Sequence, residues 1–244
     1  MFYAVDRVLI VNADDFGLSP GVNAGVARTH EEGILTSASL MVRRPAAPAA
    51  ADYARATPSL GLGLHFDLGE WTRDDGSWRA VYEVVPLDAG PDVIEAEVRA
   101  QLARFRELTG RDPSHIDSHQ HVHNWEGVAG VFRRLAAELG VPLRHHLGGV
   151  RYCGDLYGHD ENGIPIPKAI SFDAFAAIIR GLKPGMTELA CHPGLGADTG
   201  SPYDREREQE VEVLCDPRVA DALESAGVAL RSFADIASGS AGSR

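Results

Sequence analysis

Apolar and polar positions alternate along the chain in blocks short enough for strands and long enough for helices. Arg7 to Asn12 is a brief β-branched run that reads as a buried strand. It breaks at Asp14-Asp15-Phe16-Gly17, where Gly17, Pro20 and Gly21 signal a turn. Val22 to Glu32 then has helical character and stops at Gly33. The same alternation continues with a strand over Ser37–Val42, an alanine-rich helix over Ala46–Ala56 and a strand over Gly61–Phe66. Val93, Ile94, Val98, Leu102, Phe105 and Leu108 recur at helical spacing and predict a helix over Asp92–Thr109, ended by Gly110.

His115 to His119 reads as the next strand, running on into His121 and His123. A helix over Glu126–Leu139 stops at Gly140, and a short strand over Val141–Arg144 follows. Ser171 is a candidate N-cap for a helix to Leu182. Thr187–Cys191 and Val228–Arg231 read as strands, and Arg205–Leu214 and Pro217–Ala226 as helices. Asp67 to about Pro91 and His145–Lys168 have no clear period and read as long loops, which are commonly functional. No fixed-period repeat and no linker divides the chain.

Strands alternating with helices predict parallel β/α units. The 244-residue length suits one α/β domain, taken as residues 1–237 with a frayed small-residue tail over 238–244. The formal charge of −12, from 35 acidic and 23 basic residues, argues against a phosphate-backbone partner and so against nucleic acid. Three widely spaced cysteines, Cys153, Cys191 and Cys215, make neither a CxxC pair nor a disulfide framework. With no basic leader followed by an apolar run, and no stretch near the ~20 apolar residues that span a bilayer, a cytoplasmic location is expected.

The polar residues that stand out fall where strands end. Asp14 and Asp15 follow the first strand, His65 ends the third, and His115, Asp117, His119, His121 and His123 lie on and after the fourth. His192 ends a late strand. In parallel β/α domains the C-terminal strand ends share one face, so these side chains converge. In an extended segment the five alternating polar residues from His115 to His123 would share a face. At ~3.3 Å per residue that row is too long for one ion, so one or two of them can ligate. A carboxylate with two imidazoles is an open set for a catalytic divalent ion. Of two adjacent carboxylates, one can bind metal while the other takes a proton from water. Taken singly, Asp14-Asp15 could be turn residues and His65 a core histidine; the histidine row is hard to explain by packing. Asp15-Phe16-Gly17 also matches a kinase metal motif, but no glycine-rich ATP loop or HRD sequence accompanies it.

Four blocks resemble the YdjC-like carbohydrate deacetylases. They are Val11-Asn12-Ala13-Asp14-Asp15-Phe16-Gly17, Gly63-Leu64-His65-Phe66, His115 through His123, and Cys191-His192-Pro193-Gly194; Ser201–Glu206 is similar to the family's late segment. The resemblance implies a deformed, TIM-barrel-like (β/α) barrel and a single divalent ion, magnesium or zinc. It implies Asp15, His65 and His119 as metal ligands, Asp14 as general base and His192 as the acid that protonates the leaving amine. His121 and His123 are further candidates for the acid or for substrate contact. Gln120 departs from members that carry a histidine there. The implied reaction is removal of acetyl groups from an N-acetylated sugar. Trp71 and Trp78 in the first long loop and Tyr152 and Tyr157 in the second could stack on sugar faces. A two-metal phosphoesterase or amidohydrolase using the HxH spacings, and a non-catalytic sugar binder, are the competing readings. A homodimer is compatible with the sequence.

Overall fold

The computed structural model describes residues 7–74, 77–86, 88–160, 163–166 and 168–239; residues 240–244 of the expected tail lie outside them. Its centre is β1 (Arg7–Phe16), buried over its last eight residues. Beyond it come α1 (Pro20–Glu32), β2 (Ser37–Leu40), α2 (Ala47–Ala56) and β3 (Gly61–Phe66). Then follow β4 (Gly69–Asp74), β5 (Ser77–Glu83), α3 (Pro91–Thr109), β6 (Ile116–Ser118) and a 3₁₀ turn, His119–Asn124. The second half holds α4 (Ala129–Leu139), β7 (Val150–Cys153), α5 (Phe172–Gly181), β8 (Gly185–Cys191), α6 (Asp204–Leu214), α7 (Pro217–Ser225), β9 (Val228–Leu230) and α8 (Phe233–Gly239).

All ladders of the main sheet are parallel, in the order β6-β3-β2-β1-β8-β7. One side of β1 carries β8. The other side is shared: Arg7–Leu9 pairs with β9, whereas Asn12–Phe16 pairs with β2. Beyond β6, Leu143 makes a single parallel bridge to Ile116. The sheet is strongly curled, because the wholly buried Arg144 reaches Asp14 on β1, Asp117 on β6 and Glu188 on β8 together. This is a deformed, TIM-barrel-like (β/α) barrel left open, among the described residues, between Leu143 and β7.

Helix starts follow local chemistry. Ser19 caps α1 by accepting the Val22 N–H, with Pro20 next, and Ser171 caps α5 by accepting from Ala174. Gly110 and Gly140 close α3 and α4 in the left-handed conformation. Gly25 lets α1 lie against the loop after β8: a Cβ there would fall 2.5 Å from the Gly194 Cα, two residues past His192.

Four expectations are corrected. The stretch expected as a loop over Asp67–Pro91 contains the antiparallel hairpin β4–β5, and the one over His145–Lys168 contains β7. The strand expected over Val141–Arg144 is reduced to the Leu143 bridge. The strand expected to run from His115 through His123 ends at Ser118, where the 3₁₀ turn begins.

Candidate active site

The two carboxylates at the end of β1 share a pocket because the strand is irregular there. In a regular strand consecutive side chains point to opposite faces. Here the register against β2 shifts between Ala13 and Phe16, and Asp15 has φ +64°, in the left-handed region. Asp14 and Asp15 are both buried. Arg207 on α6 donates to Asp15 Oδ2 at 2.6 Å. This leaves Oδ1 facing His65 Nε2 at 3.4 Å and His119 Nδ1 at 3.1 Å. One donor atom from each of these three residues lies within 4.8 Å of the others.

His65, at the end of β3, is oriented by Asp117 of the neighbouring strand, whose Oδ1 is 2.8 Å from Nδ1. A carboxylate at Nδ1 sets the tautomer that turns Nε2 toward Asp15. His119 stands at the first residue of the 3₁₀ turn, and its Nε2 is buried with no hydrogen-bond partner. Burial pushes both imidazoles down, but Asp117 lifts His65 to about 10 and Asp15 lifts His119 to about 9. The pocket therefore demands positive charge. One carboxylate oxygen and two imidazole nitrogens, one from each of three buried or half-buried residues, fit a divalent cation, whose binding displaces such protons. Asp14, His65 and Asp117 also cluster. That set already holds a cation, since the Arg144 guanidinium binds both of its carboxylates.

Asp14 is outside the Asp15–His65–His119 set. Its Oδ1 accepts from Arg144 at 2.7 Å and from Asn12 Nδ2 at 2.9 Å. Burial pushes its carboxyl up, yet Arg144 and His65 outweigh burial and hold it below the usual range. Its Oδ2 lies 3.9 Å from His192 Nε2. His192 follows β8; its backbone N–H donates to Glu210 and its carbonyl accepts from Arg207 at 3.2 Å. Burial pushes the His192 imidazole down to about 4 against the pull of Asp14 and Asp15, so it is neutral at neutral pH.

The other predicted site residues are not part of the Asp15–His65–His119 set. Gln120 and His121 have φ of +50° and +54°, which ends the alternation on which a single polar face depended. His121 and His123 pack against His145, and His121 also against Tyr152, rather than joining His119. Trp71 is 5% exposed, and its ring lies against Trp125. Its backbone N–H and carbonyl both bond to the Gln120 side chain at 2.9 Å, clamping the hairpin to the turn that carries His119. Trp78 is 66% exposed. Tyr157 lies beside His192, with ring centroids 5.5 Å apart.

Sequence reasoning missed Arg144, Arg207, Glu188 and Glu210, and gave Asp117 no distinct part. Arg144 is the last residue of an expected strand, so the strand-end rule that found the histidines could have included it. The only signal near Arg207 and Glu210 was the Ser201–Glu206 resemblance.

An open parallel β/α barrel with carboxylates and imidazoles gathered at its strand ends defines a class of barrel proteins whose chemistry sits on that face. The family model described as "YdjC-like protein" matches residues 8–225, and the chain belongs to this family. A carbohydrate deacetylase of Geobacillus stearothermophilus is 35% identical over 250 residues, covering 94% of this chain and 98% of that protein. A chitooligosaccharide deacetylase of Salmonella paratyphi B is 33% identical over 255 residues, covering 95% and 100%. Among solved structures, a family 4 carbohydrate esterase of Streptomyces lividans superposes with TM-score 0.57 at 14% identity, over 93% of each chain, a likeness of fold.

Proposed function

We propose that this protein is a divalent-cation-dependent deacetylase of N-acetylated carbohydrates. The observation that carries the reading is geometric. Asp15, His65 and His119 converge from three strand ends, and a second carboxylate, Asp14, stands beside them with one oxygen uncommitted. The carbohydrate substrate class follows from the relatives named as carbohydrate and chitooligosaccharide deacetylases.

Asp15, His65 and His119 would hold the cation. When bound, it supplies Lewis acidity, lowering the pKa of water and drawing charge from the acetamide carbonyl. Arg207 keeps Asp15 Oδ2 occupied so that Oδ1 faces inward. Asp117 fixes the His65 ring. Arg144 and Asn12 hold Asp14 ionised with Oδ2 free to take a proton from the attacking water. His192, neutral at rest, serves as the acid by first gaining a proton; Asp14 Oδ2 lies 3.9 Å from its Nε2, and Glu210 Oε1 lies 3.9 Å from its Nδ1. The proton then goes to the leaving nitrogen, giving acetate and a free amino sugar. Tyr157 beside His192 and Tyr152 beside His121 are partly exposed and offer ring faces to the sugar. Trp71 acts through the hairpin it anchors.

Among the described residues no helix is long and apolar enough to cross a membrane. The three cysteines are free, which suits the reducing cytoplasm.

An acetate-release assay on N-acetylglucosamine oligosaccharides tests the proposal. Release is expected, is lost with a chelator, and returns when a divalent ion is restored. Release that ignores the chelator contradicts the cation's part. Absence of release from every N-acetylated sugar by cation-loaded protein supports the non-catalytic sugar binder instead.

A further inference from the structure

Outside the Asp15 pocket, three imidazoles meet in a place the proposed chemistry does not use. His121 and His123 come from the 3₁₀ turn, and His145 follows Arg144 at the open edge of the barrel. One ring nitrogen from each lies within 4.8 Å of the others. Ring centroids are 4.6 Å apart for His121–His145, 5.3 Å for His123–His145 and 6.0 Å for His121–His123.

The hydrogen bonding is incomplete in a specific way. His123 is fully buried, and its Nδ1 is 2.7 Å from Ser118 Oγ, while its Nε2 has no partner. His121 Nε2 is 3.3 Å from the Tyr152 hydroxyl, while its buried Nδ1 has none. His145 stacks on Tyr152 at 4.0 Å, and its Nε2 is likewise buried without a partner. Buried polar atoms are nearly always satisfied, so three unsatisfied nitrogens in one cluster ask for an occupant. The backbone holds the arrangement at some cost: His121 and His145 both have left-handed φ, +54° and +65°.

We propose that His121, His123 and His145 form a second cation site, for a zinc-like divalent ion. An all-imidazole donor set suits zinc, nickel or copper and gives magnesium none of the oxygen ligands it prefers. Three ligands leave a fourth position open. A tetrahedral ion bonded at ~2.1 Å brings its nitrogens to about 3.4 Å from one another, so binding draws the three rings inward. The set shares no residue with Asp15, His65 and His119. It does tie the turn that begins at His119 to the segment that begins at Arg144. Its ion would therefore stiffen the support of both pocket residues.

Zinc binding measured by equilibrium dialysis and metal analysis tests this. Wild-type protein is expected to hold about two zinc ions per chain. His145→Asn is expected to hold about one; the residue is half-buried, and asparagine tolerates the left-handed backbone. His121→Asn should behave alike, and serves if the first variant folds poorly. Asp15→Asn is also expected to retain about one, the triad ion. Either histidine variant, folded and binding as much zinc as wild type, overturns the proposal, as does an Asp15→Asn protein that holds none. A wild type with one ion that Asp15→Asn keeps and His145→Asn loses upholds the triad and counts against the Asp15 set.

Discussion

Asp14→Asn is expected to lower turnover by at least ~10²-fold while leaving cation binding intact, the scale of a lost general base. Asparagine has the shape of the carboxylate, and its carbonyl oxygen can still accept from Arg144 and Asn12, which now meet Asp14 Oδ1 at 2.7 Å and 2.9 Å. What it loses is the ability to take a proton at the position of Oδ2. Because Asp15, His65 and His119 are untouched, calorimetric titration with manganese should give the wild-type stoichiometry. Wild-type turnover in Asp14→Asn would remove Asp14 from the mechanism.

Arg144→Met is expected to cost about 3–5 kcal/mol of folding stability, the range for removing one partner of a buried ion pair. Arg144 is fully buried. It is 2.7 Å from Asp14 Oδ1, bonded to Asp117, and 3.4 Å from Glu188 Oε1. Burial works against its charge, but those three carboxylates outweigh burial and hold the guanidinium firmly protonated. Methionine fills much of the volume but leaves the carboxylates without a guanidinium. Urea unfolding at neutral pH measures the difference. A loss below about 1 kcal/mol would mean that the carboxylates are neutralised some other way and that Arg144 is not the centre of the barrel's polar interior.

Most of the barrel was legible because its strands and helices bury one continuous apolar surface. β1, β3 and β8 are short apolar runs that end in polar residues, and α3 and α4 carry apolar stripes closed by glycine. The β4–β5 hairpin left no such trace. β5 is almost wholly exposed, so no buried face imposed a period of two on Ser77–Glu83. The histidine row failed for the opposite reason. Its regular spacing suggested a strand, whereas left-handed Gln120 and His121 send His119 to one cluster and His121 and His123 to another.

The site was legible where it consists of unusual residues at strand ends and opaque where ordinary charges complete it. Glu206, Arg207 and Glu210 lie on the buried side of α6, whose sequence reads as a solvated, charged helix. Hydrophobic periodicity cannot mark a face that is buried and ionic. The tandem Asp14-Asp15 is similar: period two assigns the carboxylates to opposite faces, and only the bulge after Ala13 brings both to the pocket.

The most direct test is a crystal structure with manganese, a divalent ion that accepts carboxylate and imidazole together and scatters anomalously. The account predicts an anomalous peak bounded by Asp15 Oδ1, His65 and His119, with Asp14 outside the coordination shell. A peak between Asp14 and Asp117 in place of Arg144, or no manganese at Asp15, would contradict it.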